Sequence, residues 1–185
     1  MALYNQPNIP FVKTWNTGDN INAADLNTQI RDAVAFLTAH KPHAGMFAQN
    51  VQTTVPNNAW TTIAFDTATV DTHGGFSSSG IYTAQVSGWY QCMAAVVFTA
   101  DTSFDRAIRF LYNGTAAFCG IASCKSTAIT TGVTLTRMIP LVAGQTLALQ
   151  GWHNAGHNVN TENVNGAERS YLDIAFFSQF YGYTV

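Results

Sequence analysis

Two histidines, His153 and His157, stand four residues apart in the segment "WHNAGHN". At that spacing on a helix both rings share one face, where their nitrogens can hold zinc. The asparagines and glycine between them favour a loop, in which that geometry is not implied. We therefore interpret the segment as a polar loop and keep the two histidines as weak metal candidates.

Two aspartates, Asp101 and Asp105, bracket a turn ahead of Arg106. Calcium requires several oxygen ligands, of which two carboxylates supply only a part. Turn formation and capping explain the pair more simply. They are the second pair of weak metal candidates, and we predict no bound metal and no cofactor.

Motifs for catalysis are missing from the sequence. The ten acidic residues are scattered, and there is no GxSxG, no HExxH and no phosphate-binding loop. Cys92 lies in the middle of a predicted strand, where a thiol is more often a core residue than a nucleophile. The sequence therefore predicts that this protein is not an enzyme.

Composition excludes other classes. Charged residues make up 10% of the 185 residues, the net charge is −2, and the cations are scattered from Lys13 to Arg169. Nucleic-acid binding and electrostatic membrane anchoring need clustered cations, so we expect neither. The start of the chain resembles neither a signal peptide nor a membrane span, which predicts synthesis in a cytoplasm.

The elements that must position any site are mostly strands. From Val51 onward apolar residues recur at every second position, as in Ile63 and Phe65, and turn signals such as Asn113-Gly114 follow at close spacing. The strand at 89–100 is apolar on both faces, which suggests that another subunit covers one of them. Eight to ten such strands predict a mainly β, antiparallel sandwich or barrel at 51–185, after a linker at 42–50.

Two polar loops of this predicted head domain, "DTHGGFSSSG" and "GWHNAGHNVNTENVNGAE", are candidates for ligand binding. Trp152 with its asparagine-rich loop suits glycan binding through stacking and hydrogen bonds, and core packing at a strand end is the alternative for Trp152. The candidate residues are His73, Phe76, Trp152, His153, Asn154, His157 and Asn158.

One short helix is predicted at 21–41, with Asn22 as its N-cap and Asp25 in its first turn. Its apolar residues are spaced by three and four, as in a coiled-coil seam, and pack either on the β domain or on copies of the same helix. This helix seam consists of Ala23, Leu26, Ile30, Ala33 and Leu37.

An extended arm precedes the helix at residues 1–20, and it carries Tyr4, Phe11 and Trp15. Aromatic residues outside a core are typical interface anchors, so we interpret these three as attachment residues, with local packing on the helix as the alternative.

Four segments in order resemble the jelly roll of the complement globular head and the tumour necrosis factor (TNF) superfamily: "GIYTAQVSGWYQCMAAVVF", "RAIRFLYNG", "LVAGQTLALQGWH" and "SYLDIAFFSQF". The matching positions are Gly88, Trp89, Tyr90, Asn113, Gly114, Leu141 to Gln145, Phe176 and Phe177. Gln145 stands where the family usually has Asp. The resemblance implies a TNF-like jelly roll that forms a homotrimer, with Trp89, Tyr90, Met93 and Val97 in the trimer core.

The segment "TWNTGDNINAADLNTQIRDAVAFL" resembles the N-terminal segment of many tailed-bacteriophage virion proteins. The matching residues are Trp15, Gly18, Asp19, Ala23, Leu26, Asn27, Ile30, Arg31 and Asp32. That resemblance implies a virion-surface protein, such as a tail fibre or minor tail protein, held to other virion proteins by its arm and helix.

Together these features predict a trimeric structural protein with its β head outward for adhesion to host-surface glycan. A head decoration protein that stabilises the capsid is the first alternative, and a polysaccharide-degrading tail enzyme is the second.

Overall fold

The computed structural model describes residues 16–20, 22–39, 41–101, 104–115, 121–126, 129–162 and 169–179. The chain divides into two compact units, Met1–Lys41 and Pro42–Val185. The attachment residues Tyr4, Phe11 and Trp15 lie outside the described residues.

The first unit contains one helical segment. It begins as α1 (Ala23–Leu26), continues through a π-helical turn (Asn27–Arg31) and ends as α2 (Asp32–Ala39). The predicted cap is confirmed, since the side-chain oxygen of Asn22 accepts a hydrogen bond from Asp25 N at 2.8 Å. The π-helical turn interrupts the α-helical spacing, so the seam is not one regular two-heptad stripe. No helix among the described residues has the length and apolar character to cross a membrane.

The second unit is built from antiparallel strands. They are β1 (His43–Phe47), β2 (Thr54–Val55), β3 (Thr61–Thr62), β4 (Thr67–Asp71), β5 (Ile81–Thr83), β6 (Gly88–Phe98), β7 (Phe104–Tyr112), β8 (Ile121–Ser126), β9 (Thr131–Leu141), β10 (Thr146–His153), β11 (Val159–Asn160) and β12 (Tyr171–Ser178).

Two main sheets form the sandwich. The first sheet has the order β4-β1-β12-β6-β9, and the second has β3-β10-β7-β8 with β5 also paired to β10. The short strands β2 and β11 form a third pair. Because neighbours in each sheet come from distant parts of the chain, the topology is that of a jelly roll rather than a meander.

Alternating side chains of the two sheets fill the core. Ile63 and Phe65 are fully buried, as their two-residue spacing predicts. In β6, Tyr90, Cys92 and Phe98 are also fully buried and face the second sheet. Burial raises the pKa of the Cys92 thiol, which fits a core residue and not a nucleophile.

The linker predicted at 42–50 is wrong. Residues 43–47 form β1, which lies inside the first sheet between β4 and β12. Ala44 and Met46 are buried, at 0% and 1% exposure. The strand has small residues in "HAGMF", so its alternation carries little hydrophobic signal, and its pairing with residues 171–175 cannot be read locally.

Candidate functional site

The outer face of the first sheet is rich in apolar side chains. Met93 on β6, Met138 on β9 and Tyr171 on β12 are 39%, 43% and 36% exposed, and Phe177 at the β12 bulge is 64% exposed. These four are half of the eight large apolar side chains that are exposed among the described residues. Trp89 and Val97 alternate with the inward residues of β6 and lie on the same face. We call this set the apolar face.

One predicted trimer-core residue is misplaced. Tyr90 is fully buried between the sheets, where its ring packs edge-on against Phe176 at a centroid distance of 5.5 Å and its hydroxyl donates to Val86 O at 2.5 Å. The two-residue alternation of β6 turns Tyr90 inward and its neighbour Trp89 outward. Assigning Tyr90 to an intersubunit core was therefore wrong.

The helix seam is only partly described. Ile30 is 58% exposed, and Val34 on the same helical segment is 51% exposed, whereas Phe36 is buried. Ala23 is exposed and Ala33 is half-buried. The side chains of Leu26 and Leu37 lie outside the description.

The loop after β10 meets the loop after β6. His157 Nε2 lies 2.6 Å from Asp101 Oδ2, which brings together two of the four weak metal candidates. Asp105 does not join them, because its backbone N–H donates to Asn154 Oδ1 at 2.8 Å and its carboxylate accepts from Asn154 Nδ2 at 3.0 Å. Within the described ranges, no three His, Cys, Asp or Glu side chains converge in a metal-binding group.

His153 and Trp152 belong to β10 and not to a ligand loop. His153 is fully buried, with Nε2 2.7 Å from Val55 O, so its assignment as a ligand or metal candidate was wrong. Burial lowers the pKa of His153. The strand ends at His153, directly before Asn154, and its last two residues pair with Ala107 and Arg106 of β7.

Arg106 lies next to His153 inside the sandwich. Its side chain is fully buried, and among the described residues none of its guanidinium nitrogens has a hydrogen-bond partner. The guanidinium stacks over the ring of Phe104 at 3.8 Å from its centroid. Burial lowers the pKa of Arg106, with Cys124 and Asp101 opposing that shift. Sequence reasoning treated Arg106 only as the residue after a turn.

The other predicted ligand loop lies between β4 and β5. The carboxylate of Asp71 organises it by accepting hydrogen bonds from the backbone N–H of Gly75 and of Phe76, each at 3.0 Å. His73 Nδ1 lies 2.9 Å from Thr72 Oγ1, and both His73 and Phe76 are half-buried. Asn158 is exposed in the loop after β10. Nothing in these contacts marks either loop as a specific ligand site.

Trp152 instead faces outward from the second sheet. The pairing of Gly151 with Thr61 sets it beside Trp60, and the two indole rings lie 6.2 Å apart at 33°. Trp60 was not identified from the sequence as a candidate site residue. The pairing of β3 with a strand ninety residues later leaves no local pattern.

The turn residues of the family pattern have clear structural roles. Asn113 and Gly114 both have positive φ, at 42° and 74°, in the turn that leads from β7 toward β8. Gln145, in the place of the family's Asp, accepts from Val142 N at 2.8 Å and from the Tyr112 hydroxyl at 2.6 Å. An amide oxygen thus holds this turn.

Comparisons with known proteins agree with the fold. No protein-family profile and no curated protein matches the sequence. Solved structures do match. The globular domain of a zebrafish complement 1qA protein is similar at TM-score 0.56 and 12% identity, covering 76% of this chain and all of that chain.

Two TNF structures are also similar. Eiger TNF from S. frugiperda matches at TM-score 0.54 and 13% identity over 78% of this chain and 99% of its own. Murine APRIL matches at TM-score 0.55 and 11% identity over 74% of this chain and all of its own. At these identities the likeness establishes the fold: residues of the second unit form an antiparallel jelly roll of the complement-head and TNF type.

Proposed function

We propose that this chain is a structural protein displayed on the surface of a tailed-phage particle, where it forms a homotrimer. In this proposal the arm and helix attach to other virion proteins. The β heads point outward and bind the host surface, and the protein does no chemistry.

The observation that carries the proposal is the apolar face. A chain with only 10% charged residues places Met93, Met138, Tyr171 and Phe177 together on one outer sheet surface. Several large exposed apolar side chains on one sheet surface are typical of a protein–protein contact. A second copy of the chain suits it best, because the structures with this fold include complement and TNF domains, for which homotrimers are typical.

The first unit supports attachment. Asp19 closes the predicted turn, since its carboxylate accepts from Asn16 N at 2.8 Å and Gly18 has φ +98°. This turn, the Asn22 cap and the helix from Ala23 onward belong to the segment that resembles phage virion proteins. Ile30 and Val34 leave apolar surface on the helix that follows.

Self-association is tested by mass. Light scattering of the full chain should give three times the chain mass of 20.0 kDa. Met138→Glu places a carboxylate in the apolar face and should lower the mass toward that of one chain. Ile81→Glu is the matched control, because Ile81 is 36% exposed on β5 of the other sheet and its replacement should leave the mass unchanged. A single-chain mass at all concentrations would contradict the trimer.

The particle role is tested by immunogold electron microscopy with an antibody to residues 50–185. Label at the tail supports adhesion, and purified protein should then compete with particles for host cells. Label scattered over the head, with particles that lose heat resistance when the protein is removed, would favour the decoration alternative. Particles without label would refute both.

A further inference from the structure

A cluster on the outer face of the second sheet combines two indole rings with a fixed guanidinium. Trp60 and Trp152 are half-buried, and their ring centroids lie 6.2 Å apart. Arg109 extends from β7 across β10, so that its Cζ lies 4.2 Å from the centroid of the Trp60 ring. We call these residues, with Gln150, the Trp–Arg platform.

The guanidinium of Arg109 is fixed in position, but within the described part of the chain it still has free hydrogen-bond donors. Its Nε donates to Gln150 Oε1 at 2.8 Å, and the ring of Trp60 supports its plane. Among the described residues, no group accepts a hydrogen bond from its two terminal nitrogens. Since most of the side-chain entropy is already lost, binding an acceptor at those nitrogens costs little further ordering.

The surroundings favour a flat ligand that carries a negative charge. Trp152 pairs with Ala107 of β7, whose methyl side chain is too short to cover an indole ring. A guanidinium matches a carboxylate through two parallel hydrogen bonds, and an aromatic ring stacks on the apolar face of a sugar. Arg109 is the one charged member of the platform, so the charge that it presents is positive.

We propose that the Trp–Arg platform binds an acidic saccharide, with the carboxylate on Arg109 and the sugar ring on Trp152. This binding proposal rests on the proposed role in host adhesion, and it specifies the class of ligand. The platform lies on the sheet opposite to the apolar face, so it stays accessible when that face is covered by other copies of the chain.

The test uses the full chain and tri-galacturonic acid as the probe, with binding measured by calorimetry and by saturation-transfer NMR. The methyl ester of the same trisaccharide is the matched neutral probe. The acid should bind and show saturation transfer to its ring protons, and its affinity should fall as salt is raised. The ester should bind at least tenfold more weakly. No binding of the acid, or equal binding of acid and ester, would overturn the proposal.

Variants identify the site. Arg109→Lys keeps the charge but loses the two-pronged geometry, and it should weaken binding of the acid about tenfold. Trp152→Leu should weaken it at least as much. Arg137→Lys is the matched control, because Arg137 is an exposed residue of β9 in the other sheet. This variant should bind the acid as the unmodified chain does. Thermal melting checks that each variant is folded.

Full binding by both platform variants would overturn the assignment of the site. The mass measurement and the adsorption competition do not depend on Arg109. Failure of the saccharide test with a trimeric, adsorption-blocking protein would therefore refute the platform alone. Binding of the acid by a protein that does not block adsorption would refute adhesion alone.

Discussion

His153 is buried in its neutral form, with each ring nitrogen matched to one backbone group. Nε2 lies 2.7 Å from Val55 O and must donate, which leaves Nδ1 to accept from Ala155 N at 3.2 Å. A second proton would turn Nδ1 into a donor that faces another donor. Burial lowers the pKa of His153 in the folded protein, and the hydrogen bond to Val55 O opposes that shift only in part.

Stability should therefore fall at acid pH. The unfolded chain takes up a proton near the ordinary histidine pKa of about 6.5, and the folded chain takes it up only at lower pH. The stability that neutral His153 contributes is therefore complete above about pH 6.5. It is lost as the pH falls from there toward the folded-state pKa, with a slope of up to about 1.4 kcal/mol per pH unit. Urea unfolding at pH 7, 6 and 5 measures this.

The control for that titration is His157, which is exposed on the loop beyond. His153→Gln should give a less stable protein whose dependence on pH between 7 and 5 is flatter. His157→Gln should keep most of the slope that His153 causes, because burial lowers the pKa of His153 more than the charge of His157 does. If His153→Gln retained the whole slope, the titration would have to come from another group.

Arg106 carries a charge inside the sandwich, and no described residue forms a hydrogen bond with its guanidinium. Its stack on Phe104 offsets only part of the cost of burying that charge. Arg106→Met keeps an unbranched apolar chain in the same space. We expect the free energy of unfolding to rise by about 1–3 kcal/mol. Arg137→Met, at an exposed position on β9, should change it by less than about 0.5 kcal/mol. A loss of stability in Arg106→Met would show that Arg106 has a partner that stabilises it.

At the scale of single elements, β6 begins at a glycine for a steric reason. A Cβ on Gly88 would contact the ring of Phe176 and lie 2.5 Å from the backbone oxygen of Ser178. The glycine of the Gly-x-Tyr motif thus lets β12 approach β6 at its bulge.

Gly88→Ala should therefore separate these strands and lower the free energy of unfolding by about 1–3 kcal/mol in urea titrations. Gly132→Ala on the neighbouring β9 is the control, since its Cβ would meet only Val97 Cγ2, at 3.9 Å. That variant should be neutral or slightly more stable. Equal effects of the two substitutions would contradict the steric explanation.

The elements also show what the sequence could reveal. The two-residue alternation of apolar residues revealed β6, which is eleven residues long. The Asn113-Gly114 pair revealed the turn after β7. The same alternation missed β1, where Ala44 and Gly45 weaken the hydrophobic signal, and it left Trp152 between a ligand loop and a strand end, where the structure places it in β10. The Trp–Arg platform depends on a register between β3, β10 and β7, and such long-range pairing has no local signature.

At the scale of the whole molecule, two apolar surfaces on separate units can both contribute to the proposed trimer. The apolar face belongs to the second unit, and the exposed Ile30 and Val34 belong to the first. When two contacts link the same chains, the second forms at a high effective concentration and strengthens the assembly. Each surface alone should then support a weaker trimer than the two together.

A chain of residues 42–185 should keep the circular dichroism of the β sandwich, because all described strands and their pairing partners lie in that unit. Its trimer should dissociate on dilution at a concentration about tenfold higher than that of the full chain, as measured by sedimentation velocity. Ile30→Asp in the full chain should reproduce the shift, since it places a charge on the helix surface while leaving the head intact. If both proteins dissociated at the same concentration as the full chain, the helix would serve attachment to the particle and not assembly of the trimer.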